Sequence, residues 1–369
     1  MDTAQALVAQ WIEHLTTDQK VGGSSPSKRA NHEKNFTTSR GFFLSVTDTL
    51  FFMESKSSSV NFTEENLRFN SGNLALFGTL TKVHEAGLSA VVLLLPGSGQ
   101  IDRDDNSKQL QIDLFPQLIP HLSREGLATF RYDKRGVGES EGDFWETGLE
   151  DLVADAKQAV SWLKTRDDID SSKVYVLGHS EGALLAMRVA AEDPSIAGVV
   201  LLAGSAKTGE ETIVWQTKKI SESITGLNRA IIKLLRIDVM KSIQKNLNRI
   251  KVTTKDSTRI QGRKINAKWM REFLQYNPRD ALKMIQSPVL AITGSNDVQV
   301  DPKDLQTMQE LVPASFESHE IPGLTHLLRI DSSGQGLKTY KKQTKQPVDQ
   351  ALVDKITGWL QSLDKDARG

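Results

Sequence analysis

The sequence predicts an α/β fold: a mostly parallel sheet covered by helices on both faces and interrupted by one inserted helical block. Three observations predict it. Short apolar runs alternate with helix-patterned stretches after an N-terminal hairpin, the rhythm of strand-and-crossover units. The polar and glycine-rich loops all follow strands, and in such sheets a site lies at the carboxyl ends of the strands. The stretch from Lys173 to Ala190 places a β-branched strand, a Gly-His-Ser-Glu-Gly turn and an Ala/Leu-rich helix in direct succession.

The elements follow in order. Asn66 to Asn70 and Leu74 to Thr81 read as strands joined by the turn residues Ser71-Gly72-Asn73, a hairpin. Ala90 to Leu95 is unbroken apolar sequence, a central buried strand, and it ends in Pro96-Gly97-Ser98-Gly99. Gln109 to Arg124 is helical by pattern, with Pro116 and Pro120 inside it. Ala128 to Tyr132 is the next strand. Leu149 to Lys164 places Leu152, Ala156, Val160 and Leu163 on one helix face. Val174 to Leu177 and Gly182 to Ala190 form the strand and helix around the glycine-flanked serine. Ile196 to Leu202, Pro288 to Thr293 and Ser315 to Ile321 are strands, and Val348 to Leu363 is an amphipathic helix. Crossovers between parallel neighbours are expected to be right-handed.

One block breaks the rhythm. Lys207 to Ala281 shows no strand pattern. Leu227 to Ile250 and Trp269 to Tyr276 read as helices, the former dense in lysine and arginine, including Lys233, Arg236, Lys241 and Arg249 and followed directly by Lys251. The expected organisation is a core of residues 53–206 and 285–369, with residues 207–284 inserted as a helical cap. The basic residues of the cap read either as an attraction for anionic substrates or as the solvated face of an amphipathic helix.

Residues 1–52 read as a leader that does not belong to the fold. Ala9 to His14, followed by Gly22 to Ser27, back-translates into the D-arm and T-arm of a transfer RNA gene in the right order. The expectation is translation through such a gene, with the native start then at Met53, or else a disordered or targeting extension. Codons unable to pair as those stems would sink the first reading. Leu44 to Phe52 is apolar but follows no charged n-region at the N-terminus, so a signal peptide is a poor fit.

Composition narrows the function. The chain has 369 residues, enough for a large core, and its formal net charge is zero. Balanced charge argues against a bulk polyelectrolyte partner, so no nucleic acid is expected. No apolar run is long enough to cross a bilayer, so no membrane partner is expected either. There is no cysteine, which removes disulfides, thiolate catalysis and cysteine-bound metal. That suits a reducing cytosol, and the expected location is cytoplasmic.

The chemistry sits on Ser180. A Gly-x-Ser-x-Gly turn between a strand and a helix exposes the serine hydroxyl in a strained turn, with the helix N-terminus behind it. Serine needs a base, normally a histidine held by a carboxylate. Of seven histidines, His14 and His32 lie in the leader, and His84 and His121 fall on the wrong side of the sheet. His319 lies within the last strand, and the turn directs the side chain of His179 away. His326, in the loop after that strand, is the base. Asp297, at the end of Val289 to Thr293, is the carboxylate; Asp301 is its nearest rival and is also placed to cap the following helix. The oxyanion hole is expected from the backbone N–H groups of Glu181 and Ser98, with Gly99 the second choice.

From about Leu67 to Leu363 the chain resembles the α/β-hydrolase-fold serine hydrolases. It is similar to bacterial carboxylesterases of the serine aminopeptidase S33-like group, through Pro96-Gly97-Ser98-Gly99, Asp102-Arg103-Asp104, Arg131 to Ser140 and Trp269 to Leu282. Pro96 stands where many relatives carry histidine. The long polar stretch from Asp331 to Gln346 departs from the pattern and is expected to be a mobile loop. The resemblance implies hydrolysis of small to medium acyl esters through an acyl-enzyme on Ser180, a small-molecule ester partner and no cofactor or metal. Alternatives are an acyl-CoA thioesterase, a short-peptide serine peptidase and, outside enzymes, a hydrolase-fold small-molecule receptor. The acyl length, the physiological role and the oligomeric state are not encoded in these motifs.

Overall fold

The computed structural model describes residues 62–83, 87–223, 238–260, 262–334 and 336–366. The leader, the proposed start at Met53, His14, His32, His84 and the cap residues Lys233 and Arg236 lie outside them. The strands are β1 (Phe62–Ser71), β2 (Leu74–Val83), β3 (Ser89–Leu95), β4 (Ala128–Tyr132), β5 (Ile169–His179), β6 (Gly198–Leu202), β7 (Ser257–Ile260), β8 (Arg263–Asn266), β9 (Val289–Gly294) and β10 (Phe316–Ile321). Eight of them form one sheet in the order β1-β2-β4-β3-β5-β6-β9-β10. β1 with β2 and β2 with β4 run antiparallel, and the other pairings are parallel.

Alternation explains why the central strands are apolar throughout. Successive side chains on a strand point to opposite faces. On β3, Val91, Leu93 and Leu95 enter one hydrophobic cluster and Ala90, Val92 and Leu94 the other. β5, β6 and β9 divide the same way: Val176 against Leu177, Leu201 against Leu202, Ala291 against Ile292. A strand buried on both faces has no position for a polar side chain.

The helices are α1 (Leu114–Arg124), α2 (Leu149–Lys164), α3 (Glu181–Glu192), α4 (Gly209–Ser223), α5 (Val239–Val252), α6 (Ala267–Gln275), α7 (Pro278–Leu282), α8 (Asp304–Leu311), α9 (Tyr340–Gln343) and α10 (Gln350–Asp366). α1 and α10 cover one face through Phe115, Leu118 and Leu122 and through Leu352, Ile356 and Leu360. α2, α3 and α8 cover the other through Leu152, Ala156 and Leu163, Leu185 and Val189, and Met308. No helix among the described residues is long and apolar enough to cross a membrane.

Three expectations are corrected. Residues 207–281 do contain strands: β7 and β8 pair as an antiparallel hairpin. Four-residue strands are too short to show a period against their basic, polar composition. α1 begins at Leu114 rather than Gln109. Asn106 brackets Asp113 with two side-chain hydrogen bonds of 2.7 Å, and Asp113 takes a left-handed φ of 48° that no helix interior accepts. The stretch 331–346 is tied down in the structure rather than loose. Thr325 Oγ1 donates to Gln343 Oε1 (2.7 Å), Gln343 Nε2 to Asp331 Oδ2 (3.0 Å) and Gln299 Nε2 to the Tyr340 hydroxyl (3.0 Å).

Candidate active site

Ser180 sits between β5 and α3 with φ 55° and ψ −113°, a conformation that L-residues rarely adopt and that costs about 1–3 kcal/mol. The surroundings enforce it. The Ser180 N–H donates to Leu202 O at 2.9 Å, pinning the turn to the neighbouring strand β6. The flanking glycines are dictated by contact: a Cβ on Gly178 would lie 2.0 Å from Gly182 O, and one on Gly182 would lie 1.9 Å from Leu95 O. α3 thus packs directly against the end of β3, with its positive dipole end at the serine.

The structure brings Ser180, His326 and Asp297 into one line. Ser180 Oγ lies 3.0 Å from His326 Nε2, and His326 Nδ1 lies 2.8 Å from Asp297 Oδ2. His326 and Asp297 are both buried. The other Asp297 oxygen accepts the N–H groups of Gln299 (2.7 Å) and Val300 (2.9 Å), which fixes the carboxylate plane. Gly294 lets the two loops meet, since a Cβ there would stand 2.0 Å from Leu324 O. Asp301, the rival acid, instead pairs with Lys207 Nζ at 3.0 Å and accepts the N–H of Lys303. His319 bonds to Glu317 on β10, and His121 to Arg124 on α1, away from the serine.

The loop after β3 lies against the serine. The Gly97 N–H donates to Asp105 Oδ1 at 2.8 Å. The N–H groups of Ser98, Gly99 and Glu181 have no acceptor among the described residues. Lys134, from the loop after β4, donates to Gly97 O and, at 2.6 Å, to Glu181 Oε1. Both side chains of that pair are buried. Burial pushes the Glu181 carboxyl up, against the pull of Lys134. Glu181 Oε2 and the indole N–H of Trp269 are also buried and make no direct hydrogen bond among the described residues. They line a cavity of about 10 Å³, bordered by Gly99, Phe144 and Asn266, with room for a single water.

Ionic contacts fasten this loop to the antiparallel end of the sheet. Arg103 meets Asp133 (2.6 Å) and Glu139 (2.8 Å) and donates to Thr79 (3.0 Å). Arg131 meets Asp104 (2.6 Å) and Glu64 of β1 (3.0 Å). Asp102 accepts the N–H groups of Asp104 and Asn106, both at 3.0 Å. The Asp102-Arg103-Asp104 run is therefore a set of fasteners.

Two site residues escape sequence reasoning. His179 does turn away from the serine, but into a buried contact: its Nδ1 lies 2.7 Å from Asp105 Oδ2 and its Nε2 lies 3.0 Å from His326 O. Asp105, next to the fastener run and with a left-handed φ of 63°, carried no sequence signal of its own. Among the described residues no group of three or more histidines and carboxylates is arranged to hold a metal ion.

The family model described as serine aminopeptidase, S33, matches residues 111–333. The chain belongs to that family. Among characterised relatives, esterase EstD of Thermotoga maritima is 29% identical over 321 residues, covering 86% of this chain and 72% of EstD. Two solved structures share the fold of this S33 chain. Est1E of Butyrivibrio proteoclasticus with bound ferulic acid has TM-score 0.51 and 19% identity, covering 76% of this chain and 100% of Est1E. The Pyrococcus furiosus esterase Pf2001 has TM-score 0.52 and 17% identity, covering 83% and 91%. The α/β-hydrolase fold expected from the sequence is thereby borne out.

Proposed function

We propose that this protein is a serine carboxylesterase acting on small to medium acyl esters through an acyl-enzyme on Ser180. The observation that carries the reading is the hydrogen-bonded line from Ser180 Oγ through His326 to Asp297, joined to kinship with an esterase along most of the chain. Ser180 Oγ attacks the ester carbonyl while His326 Nε2 takes its proton. Asp297 holds Nδ1–H, fixes the ring tautomer and stabilises the imidazolium that forms. The oxyanion enters the N–H groups of Ser98 and Glu181, with Gly99 as an alternative donor. These are free to accept it, whereas the Gly97 N–H is committed to Asp105. His326 returns its proton to the leaving alcohol, and water then cleaves the acyl-enzyme by the same steps reversed.

Residues 207–284 serve as the cap over this core. They bring Asn266 and Trp269 to the cavity beside Glu181. Of the cap's lysines, Lys251 is neutralised within the cap by Glu210 at 2.7 Å. The protein acts on small molecules in the cytoplasm.

The test is a p-nitrophenyl ester series from acetate to palmitate, wild type beside Ser180→Ala. Turnover falling with chain length and reduced about 10⁴-fold or more in the variant supports the reading. Near-full activity in Ser180→Ala refutes it. Acyl-CoA thioesters and aminoacyl anilides belong in the same panel, because the family description names an aminopeptidase. A folded wild type inert on all three, and unlabelled by a fluorophosphonate, would be a receptor.

A further inference from the structure

His179 carries the furthest inference. Its ring is fully enclosed, 2% exposed, and lies with its centroid 5.2 Å from that of His326. Its two nitrogens face two groups of fixed character. The partner of Nε2 is the backbone carbonyl of His326 at 3.0 Å. A carbonyl oxygen only accepts, so Nε2 carries a proton. The partner of Nδ1 is the Asp105 carboxyl at 2.7 Å. One proton lies between them, on the ring or on the acid.

The surroundings place it on the ring. An ordinary imidazolium holds its proton to about pH 6.5, an ordinary aspartic acid only to about pH 3.9. The other Asp105 oxygen accepts the Gly97 N–H at 2.8 Å, which leaves only Oδ2 to face the ring. Arg329, fully buried and brought down only to about 10 by that burial, stays cationic and interacts with Asp105. On the far side Lys134 is paired with Glu181. Asp297, across the site, also favours a cation at His179.

We propose that His179 is an imidazolium at neutral pH that, with Asp105, locks the loop of the catalytic base to the oxyanion loop, and so acts as a positioning residue for the reaction. The chain of contacts is continuous: Gly97 N–H to Asp105, Asp105 to His179, His179 to the carbonyl of His326. One buried ion pair thereby sets the distance between the oxyanion donors and the base. Burial opposes the charge, but Asp105 and the His326 carbonyl outweigh it, and the net shift is upward from an ordinary histidine. The positioning role rests on the esterase reading; the charge state does not.

The experiment uses the full chain with ¹⁵N-labelled histidine. At pH 7, where an ordinary histidine is mostly neutral, one histidine shows both ring nitrogens protonated, and the signal disappears in His179→Gln. Asp105→Asn is the second variant. Its side-chain amide can accept the Gly97 N–H and donate to His179 Nδ1, so every hydrogen bond survives while both charges go. The expected result is a neutral His179, and a loss of kcat smaller than in His179→Gln. In His179→Gln, kcat falls about 10²-fold with KM little changed, the size expected for a displacement of about 1 Å. The acidic limb of its kcat/KM profile moves up, because the negative charge of Asp105 then loses its imidazolium partner beneath the site and is countered by Arg329 alone. A neutral His179 near pH 7 in the wild type overturns the charge assignment. His179→Gln with wild-type kcat and an unmoved acidic limb overturns the positioning role. Failure of the esterase reading is separate: it shows as a wild type inert on esters, with the resonance test intact.

Discussion

The packing of α3 against the end of β3 makes a quantitative prediction for Gly182→Ala. The added Cβ would stand 1.9 Å from Leu95 O and 2.9 Å from Pro96 O, both backbone atoms that cannot rotate aside. A relaxed carbon–oxygen contact is about 3.3 Å, so the first turn of α3 must retreat by about 1.4 Å. That turn carries Ser180 at its cap and the N–H of Glu181. The retreat opens the 3.0 Å contact between Ser180 Oγ and His326 Nε2. A misplacement of about 1 Å costs about 10²-fold in rate, equal to about 2.7 kcal/mol of barrier. Overpacking adds a stability loss of about 1–3 kcal/mol. The assay is kcat and KM on p-nitrophenyl butyrate beside a melting curve. Gly358→Ala is the control, because nothing lies within 4 Å of its added Cβ in the interior of α10. It is expected to melt no lower than wild type. Gly182→Ala with kcat within twofold of wild type and an unchanged melting temperature would refute the reasoning.

Two further outcomes follow from buried and paired charges. Lys134→Met strands the Glu181 carboxylate, whose side chain is 2% exposed, and is expected to cost about 3–5 kcal/mol in urea unfolding. Lys134→Met/Glu181→Leu recovers much of it, and equal losses in the two proteins would contradict the account. Asp168 is held down at about 2 by Arg166 and Lys82, from an ordinary 3.8. A depressed carboxyl stabilises the fold above its unfolded value and loses that contribution as pH falls through its folded one. The stability gap between wild type and Asp168→Asn is therefore full above about pH 4 and shrinks as pH falls toward 2. Unfolding curves at pH 7, 4 and 3 check this, and a constant gap would count against it.

The sheet and the serine–histidine–aspartate line were legible because each follows from a short, local pattern. β3, β5, β6 and β9 are unbroken apolar runs, since both of their faces are buried. Ser180, Asp297 and His326 each sit in the loop after a strand, and the parallel order gathers those loops at one edge. What escaped depends on contacts between segments remote in the chain. His179 and Asp105 meet across 74 positions, and a histidine beside a nucleophile gives no sign of which way its ring turns. Lys134 reaches Glu181 across 47 positions. The β7–β8 hairpin escaped for another reason: its strands carry only Thr258, Ile260 and Ile265 as β-branched residues among charges. The helical pattern of α1 extends upstream of Leu114, where the Asn106 side chain, not periodicity, decides the backbone.

The fasteners around Arg103 and Arg131 bear on how this protein can be cut, fused or split. β1 and β2 form the outer edge of the sheet, where an engineer would look first for a place to divide the chain. Yet Glu64 and Thr79 reach from that edge to the two arginines that hold the loop beside Ser180. A split or graft that loosens the edge pair slackens the guy-ropes of the reaction centre, even though no atom of β1 or β2 belongs to the triad. At the other end of the chain the ties run differently: in the last turns of α10 Asp364 pairs with Lys173 of β5 at 2.7 Å and Gln361 donates to Glu125, so this helix too is anchored to the sheet and the loop after α1 rather than free to be trimmed.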